Sequence, residues 1–205
     1  MRANSGSGEQ DSRTFTENAR RAQIVRAAIE TIGELGYART SFAQIAKRAG
    51  LSSTGMISYH FQGKDDLMDA VTAAVLSTAT GYMLPKIDEA ADHHAKLRAF
   101  IESNLDFVQE HPAEINALLD IGHHRQATEN PSVQSWYQDA LSPIANRLRE
   151  GQRDGAFGEF DPWIMAITLR QAIDGIHFQL AVDPETDVDA YARELVAMFA
   201  RATSK

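Results

Sequence analysis

Residues 40–67 read TSFAQIAKRAGLSSTGMISYHFQGKDDL, and this stretch decides the fold. Ser41 is followed three residues later by Gln44, the pattern of a capping box, and Phe42, Ile45 and Ala46 then fall on one apolar helix face. A short helix over about Phe42–Arg48 is predicted. Ala49, Gly50 and Leu51 supply a turn, in which Gly50 can take the left-handed conformation at a helix end and Leu51 can fill the angle between two helices. Ser52 or Ser53 can cap the helix that follows. In that helix Ile57 and Phe61, four apart, face inward, while Thr54, Met56, Ser58, Tyr59 and His60 point outward or sideways. The outward set holds no carboxylate, a composition that suits phosphates and base edges. Gly63 permits a break, and Lys64 opens a further helix with Asp65 and Asp66 in its first turn, where the dipole favours them.

Upstream, Thr14 and Glu17 form a second capping-box pattern, after which Ala19, Ile24, Ala27, Ala28, Ile32 and Leu35 mark an amphipathic helix ending at Gly36. Residues 1–13 are polar, without periodicity, and are expected to form a mobile arm. Arg20 and Arg21, or Arg13 on the arm, could reach the phosphate backbone or a minor groove. Downstream, the helix from Lys64 runs through Leu67, Val71, Ala74 and Val75 toward a break expected at Gly81 and Pro85. Further helices are predicted over Asp92–Glu110, Pro112–Gln126, Pro131–Asp154, Asp161–Val182 and Asp187–Ala202, punctuated by proline at or near first-turn positions. The fold class is all-α, with about nine helices and no internal repeat. The helix from Lys64 is expected to be the only continuous link between the basic first third, 1–64, and the acidic remainder, and the chain is expected to divide into an N-terminal helix-turn-helix domain, 14–67, and a C-terminal helical domain, 68–205.

The segment Arg21 to Leu67 resembles the DNA-binding domain of the tetracycline-repressor (TetR) family of bacterial regulators. The resemblance rests on Ala27, Ala28, Gly36-Tyr37, Thr40, Ile45-Ala46, Ala49-Gly50, Tyr59-His60-Phe61, Lys64 and Leu67. The family pattern has one residue fewer between the turn glycine and the aromatic cluster, so Leu51-Ser52-Ser53 reads as a turn lengthened by one. The resemblance implies a repressor that binds a palindromic operator in double-stranded DNA. The interface residues would be Thr40, Ser52, Ser53, Thr54, Gly55, Met56, Ser58, Tyr59, His60 and Lys64. It also implies a small, often apolar effector and a homodimer in which the last two helices pack against their copies.

Composition agrees with such a protein. Net charge is −8 over 205 residues, yet residues 1–64 carry nine Lys/Arg against five Asp/Glu, leaving eleven against twenty-three beyond them. Only the first third has the electrostatic footprint of a DNA binder, and the acidic remainder helps to orient it. Without cysteine there is neither a disulfide framework nor a thiolate metal site. No apolar run approaches the roughly 20 residues of a membrane helix, and the start MRANSGSGEQDSR lacks the apolar stretch of a secretory signal. A cytoplasmic protein without membrane contact is expected. The helices over 161–182 and 187–202 carry more apolar surface than one neighbour covers, with Ile164, Ile167, Leu169, Ile173, Ile176 and Phe178 on the first and Tyr191, Leu195, Met198 and Phe199 on the second. Part of it should lie in an isologous subunit interface.

Chemistry offers less. Seven histidines are scattered, no His-x3-His or Glu-x2-His pair occurs, and Asp120 with His123 or His124 is the nearest approach to a metal site. No metal, cofactor or catalytic group is expected, since no P-loop, dinucleotide fingerprint or nucleophile elbow is present. Aromatic and amphipathic residues of the middle helices could line an effector cavity: Phe100, Phe107, Leu118, Ile121, Trp136, Tyr137, Leu141 and Phe178, with Asn104, His124, Arg170 and His177 as polar anchors. Two other classes of function compete. A helical metal-dependent enzyme using the histidines would show bound metal on elemental analysis, and a helix-turn-helix protein adaptor would show no salt-sensitive association with duplex DNA.

Overall fold

The computed structural model describes the backbone of residues 6–126 and 132–205, and the side chains of residues 16–125, 138 and 140–205. Among these residues there are nine α-helices, one short 3-10 turn and no strand. The helices are α1 (Gly6–Leu35), α2 (Phe42–Arg48), α3 (Gly55–His60), α4 (Lys64–Asp88), α5 (His93–Glu110), α6 (Pro112–Gln126), α7 (Ser132–Arg153), α8 (Pro162–Val182) and α9 (Val188–Thr203), with the 3-10 turn at Tyr37–Arg39. Side-chain caps fix three of the later starts. Asp92 accepts from the Ala95 N–H, Asp161 from those of Trp163 and Ile164 beside Pro162, and Asp187 from that of Ala190.

Two boundaries differ from expectation. Helix α1 begins at Gly6, so Thr14 and Glu17 lie inside it and the expected arm is helical from residue 6; residues 1–5 lie outside the described segment. Once Ile24, Ala28 and Ile32 anchor the helix in the core, each residue added upstream gains a hydrogen bond without a new nucleation cost, so even a polar stretch extends it. Helix α4 passes through Gly81 and Pro85 to Asp88. Pro85 sits in the last turn, where it removes one N–H only, and the carbonyl against which its ring would press belongs to an exposed glycine. By length and composition α4 could cross a membrane. Part of its apolar surface is engaged in the fold: Leu67, Met68 and Val71 are in the core of the helix-turn-helix region and Val75 is also fully buried, whereas Leu76 and Leu84 are exposed.

The described chain forms two compact units, one of residues up to Leu76 with Pro112–His124, the other of Ser77–His111 with Arg125–Lys205. The boundary expected at residues 67/68 falls inside α4. The chain passes between the units three times, within α4, at His111–Pro112 and within α6, so α4 is not the one continuous link. In the first unit, Ile24, Ala28, Ile32, Ile45, Ile57, Phe61, Leu67 and Val71 share a core with Ala117 and Ile121 of α6. Helix α6 comes close to α1 at Gly33, where a Cβ would lie 2.9 Å from the Ala113 backbone. In the second unit α8 packs on α7 and α5, and α9 packs on α5 and α8.

Candidate nucleic-acid interface

Helix α2 starts as the sequence predicts: the Gln44 N–H donates to Ser41 Oγ and the Ser41 N–H to Gln44 Oε1 at 2.8 Å. It ends in a Schellman motif, with Leu51 N–H donating to Ala46 O at 2.9 Å and Gly50 N–H to Lys47 O at 3.2 Å. Gly50 has φ 65° and open space where a Cβ would be, so the demand for glycine there is conformational. Neither Ser52 nor Ser53 caps α3. Its N-cap is Thr54 in a helical conformation with no side-chain cap bond, and both serines lie upstream of the cap position.

Four ties hold α3 and its turn. Ile57 and Phe61 are buried at 0% and 2% exposure. Arg21 Nη1 donates to His60 O at 2.6 Å while its guanidinium lies 4.1 Å over the Phe61 ring and pairs with Asp66 at 3.7 Å. Gln23 Nε2 of α1 donates to Ala49 O at 2.7 Å. Lys64 Nζ donates to Tyr37 O and Thr40 O, each at 3.1 Å, and sits 3.9 Å over the Tyr37 ring. Burial pushes the Lys64 ammonium below its ordinary pKa, against the opposing pull of Asp65.

These ties redistribute the expected interface. Ser52, Ser53, Thr54, Gly55, Ser58 and Tyr59 are exposed, and Met56 and His60 are half-buried. Tyr59, at 77% exposure, stands edge-on to the His60 ring at 5.1 Å. Thr40, in contrast, is buried and donates its hydroxyl to Gly36 O at 2.8 Å; it cannot present a side chain to a ligand. Lys64 and Arg21 are directed first to protein carbonyls, which a short-range reading of the sequence cannot anticipate because the acceptors lie 24 to 39 residues away. A shallow surface groove joins Thr16, Glu17 and Arg20 of α1 to Ser53, Gly55, Met56, Tyr59 and His60. Thr16 and Glu17 are additions that no pattern within α3 signals.

The expected effector residues scatter. Within the second unit a cavity of about 180 Å³ is lined by Leu97, Phe100, Ile144, Leu148, Phe157 and Leu169, with Asp88, His93, Lys96, Arg147 and Glu150 also around it. Of the expected residues whose side chains are described, only Phe100 lines it. Ile121 lies in the core of the first unit, and Leu118 and His124 are in the same α6 segment, the His124 ring 4.1 Å from that of Tyr37. Phe107 is buried against Tyr82 and His111, and Leu141 is fully buried. Asn104 Oδ1 accepts from Arg170 Nη1 at 2.9 Å, and Arg170 Nη2 pairs with Asp174 at 2.5 Å, while the buried Arg170 Nε has no hydrogen-bond partner. His177 has its pKa lowered by burial, with Asp174 raising it and Arg170 lowering it. Phe178 is 70% exposed, and the side chains of Trp136 and Tyr137 lie outside the described residues. Among the described residues no three of His, Asp or Glu gather where they could hold a metal; Asp120 and His124 both face Tyr37.

Residues 24–71 match the family described as bacterial regulatory proteins, tetR family, and residues 93–204 match the BetI-type transcriptional repressor C-terminal family. The HTH-type transcriptional regulator BetI of Cronobacter sakazakii is 36% identical over 171 residues, 78% of this chain and 83% of that one. A putative transcriptional regulator from Saccharomonospora viridis, solved in complex with choline, superposes with a TM-score of 0.78 at 24% identity, over 92% of this chain and 99% of that one. AibR, solved with isovaleryl coenzyme A and operator DNA, superposes with a TM-score of 0.72 at 18% identity, over 87% and 97%. The last two are likenesses of fold. With a helix-turn-helix at one end and the BetI-type match over more than half its length, the chain belongs to the TetR family of bacterial transcriptional regulators.

Proposed function

We propose that two copies of this chain bind a two-fold related operator in duplex DNA as a cytoplasmic repressor, and that a small molecule held in the second unit releases them. The observation that carries this reading is α3 itself. The exposed face of its N-cap Thr54 with Gly55, Ser58 and Tyr59 has no carboxylate, and the helix is fixed from behind by the buried Ile57 and by Arg21 of α1. The face needs no metal and no catalytic group, and the role proposed is binding alone. Ile164, Phe178 and Val182 of α8 and Met198 of α9, all more than half exposed, offer the apolar surface through which copies would pair.

The effector would be small, because the 180 Å³ cavity lies below the roughly 300–1,000 Å³ of drug-sized ligand sites. Phe100 and Phe157 provide aromatic groups there, beside Glu150, Lys96 and an Asp88 paired with Arg147, and choline, present in the S. viridis regulator, is the first compound to test. A duplex selected by the protein from a random pool should show two protected half-sites about 34 Å apart. Affinity should fall steeply with salt. A footprint without a dyad, or a flat salt response, would refute the reading. An effector that weakens operator binding must itself be weakened by operator to the same factor, typically about 5- to 150-fold.

A further inference from the structure

Asp120 of α6 lies outside the helix-turn-helix in sequence, yet three features of the first unit converge on its carboxylate. Gly36 adopts φ 81° and ψ 156°, a conformation that residues with a side chain rarely reach. A Cβ at Gly36 would also come within 3.2 Å of Asp120 Oδ2. The Tyr37 N–H donates to that same oxygen at 2.5 Å. The corner is thus shaped for a carboxylate: the backbone opens, an N–H points in, and no side chain stands in the way. One turn further along α6, His124 packs its ring on that of Tyr37 at 4.1 Å.

From this corner a chain of contacts leads to the recognition helix. The Tyr37 and Thr40 carbonyls on either side of the 3-10 turn accept from Lys64 Nζ, and the Tyr37 ring lies under the same ammonium. Lys64 opens α4 four residues after His60 closes α3. Within the intervening Phe61–Gly63 segment, Phe61 is buried and Gln62 N–H donates to Asp66 Oδ2 at 2.9 Å. The far end of α3 is therefore hung from the 3-10 turn, and the turn is seated on Asp120. We infer that Asp120 is a positioning residue for DNA binding: its carboxylate, docked in the Gly36–Tyr37 corner, fixes the turn that holds Lys64 and with it the angle of α3. This rests on the reading of α3 as the DNA-binding element. It places one determinant of DNA affinity in the half of the sequence that matches the BetI-type C-terminal family.

The test compares Asp120→Asn, which keeps an acceptor for the Tyr37 N–H, with Asp120→Ala, which removes it, and Asp120→Glu, whose extra methylene moves the carboxylate from its place against the Tyr37 N–H. The full-length proteins are titrated against a duplex that the wild type has selected from a random pool. Hydrogen exchange is followed in parallel over residues 36–40 and 55–63. Asp120→Ala and Asp120→Glu should bind about tenfold more weakly, the order that one hydrogen bond carries, with melting temperatures within a few degrees of wild type. Exchange over both segments should quicken, and Asp120→Asn should stay near wild type in both readouts. A general loss of fold would instead lower melting and affinity together, without rescue by Asn. Wild-type affinity and exchange in the Ala and Glu variants would overturn the inference. If Asp120→Ala does not fold, the Glu and Asn pair decides alone. If the wild type selects no duplex, the DNA-binding reading fails, and the exchange over 36–40 and 55–63 still judges the positioning role.

Discussion

Replacing Lys64 by Met separates the two roles open to it, because methionine keeps the aliphatic stem and removes the ammonium. The structure assigns that ammonium to Tyr37 O and Thr40 O at 3.1 Å each and to the Tyr37 ring at 3.9 Å. A hydrogen bond of this kind contributes about 1 kcal/mol net, more when charged, and the half-buried site with its desolvated ammonium argues for the lower figure. Adding about 0.5 kcal/mol for the ring gives a loss of about 2–3 kcal/mol for Lys64→Met. For a chain of this size that is a fall in melting temperature of about 4–12 °C, measurable by calorimetry at fixed protein concentration. Operator affinity should fall as α3 loosens, yet the slope of log affinity against log salt should stay the same, since no phosphate contact is lost. A group that served DNA alone would give the opposite pattern: unchanged melting and a slope smaller by about 1. That result would refute the assignment of Lys64 to the 3-10 turn.

Thr54 and Met56, on the open side of α3, should read bases, so substituting both ought to change the preferred sequence by about 1–3 kcal/mol per contact in a selection experiment, while Tyr59→Phe weakens all sites alike. Phe178→Glu puts a charge into the apolar face of α8 and should convert a dimer to the 22.6 kDa monomer in sedimentation at micromolar concentration; an unchanged mass would move the interface elsewhere. His177 has a folded-state pKa below its ordinary 6.5, so the unfolded chain binds its proton first on acidification. Its contribution to stability is present above about pH 6.5 and lost as the pH falls through the folded value, and His177→Gln should flatten that part of the melting profile.

What residues 40–67 determined by themselves was the helix-turn-helix corner. The Ser41–Gln44 box, the left-handed Gly50 and the inward pair Ile57 and Phe61 involve partners no more than five residues apart, so their chemistry is complete within the stretch that encodes them. The all-α class and the helix limits of α5 to α9 were legible for the same reason: apolar spacing and Asp or Pro at the starts are local properties. Tertiary structure decided the rest. That Thr40 is buried, that Arg21 and Lys64 bond to protein carbonyls, that α6 joins the DNA-binding unit through Gly33 and Asp120, and that Phe100 alone of the expected residues with described side chains lines the cavity all depend on partners 20 or more residues away or on how helices pack. A charged side chain carries no local mark of whether its donors will meet phosphate or carbonyl. That choice is made when packing brings a backbone acceptor within reach of the desolvated donor.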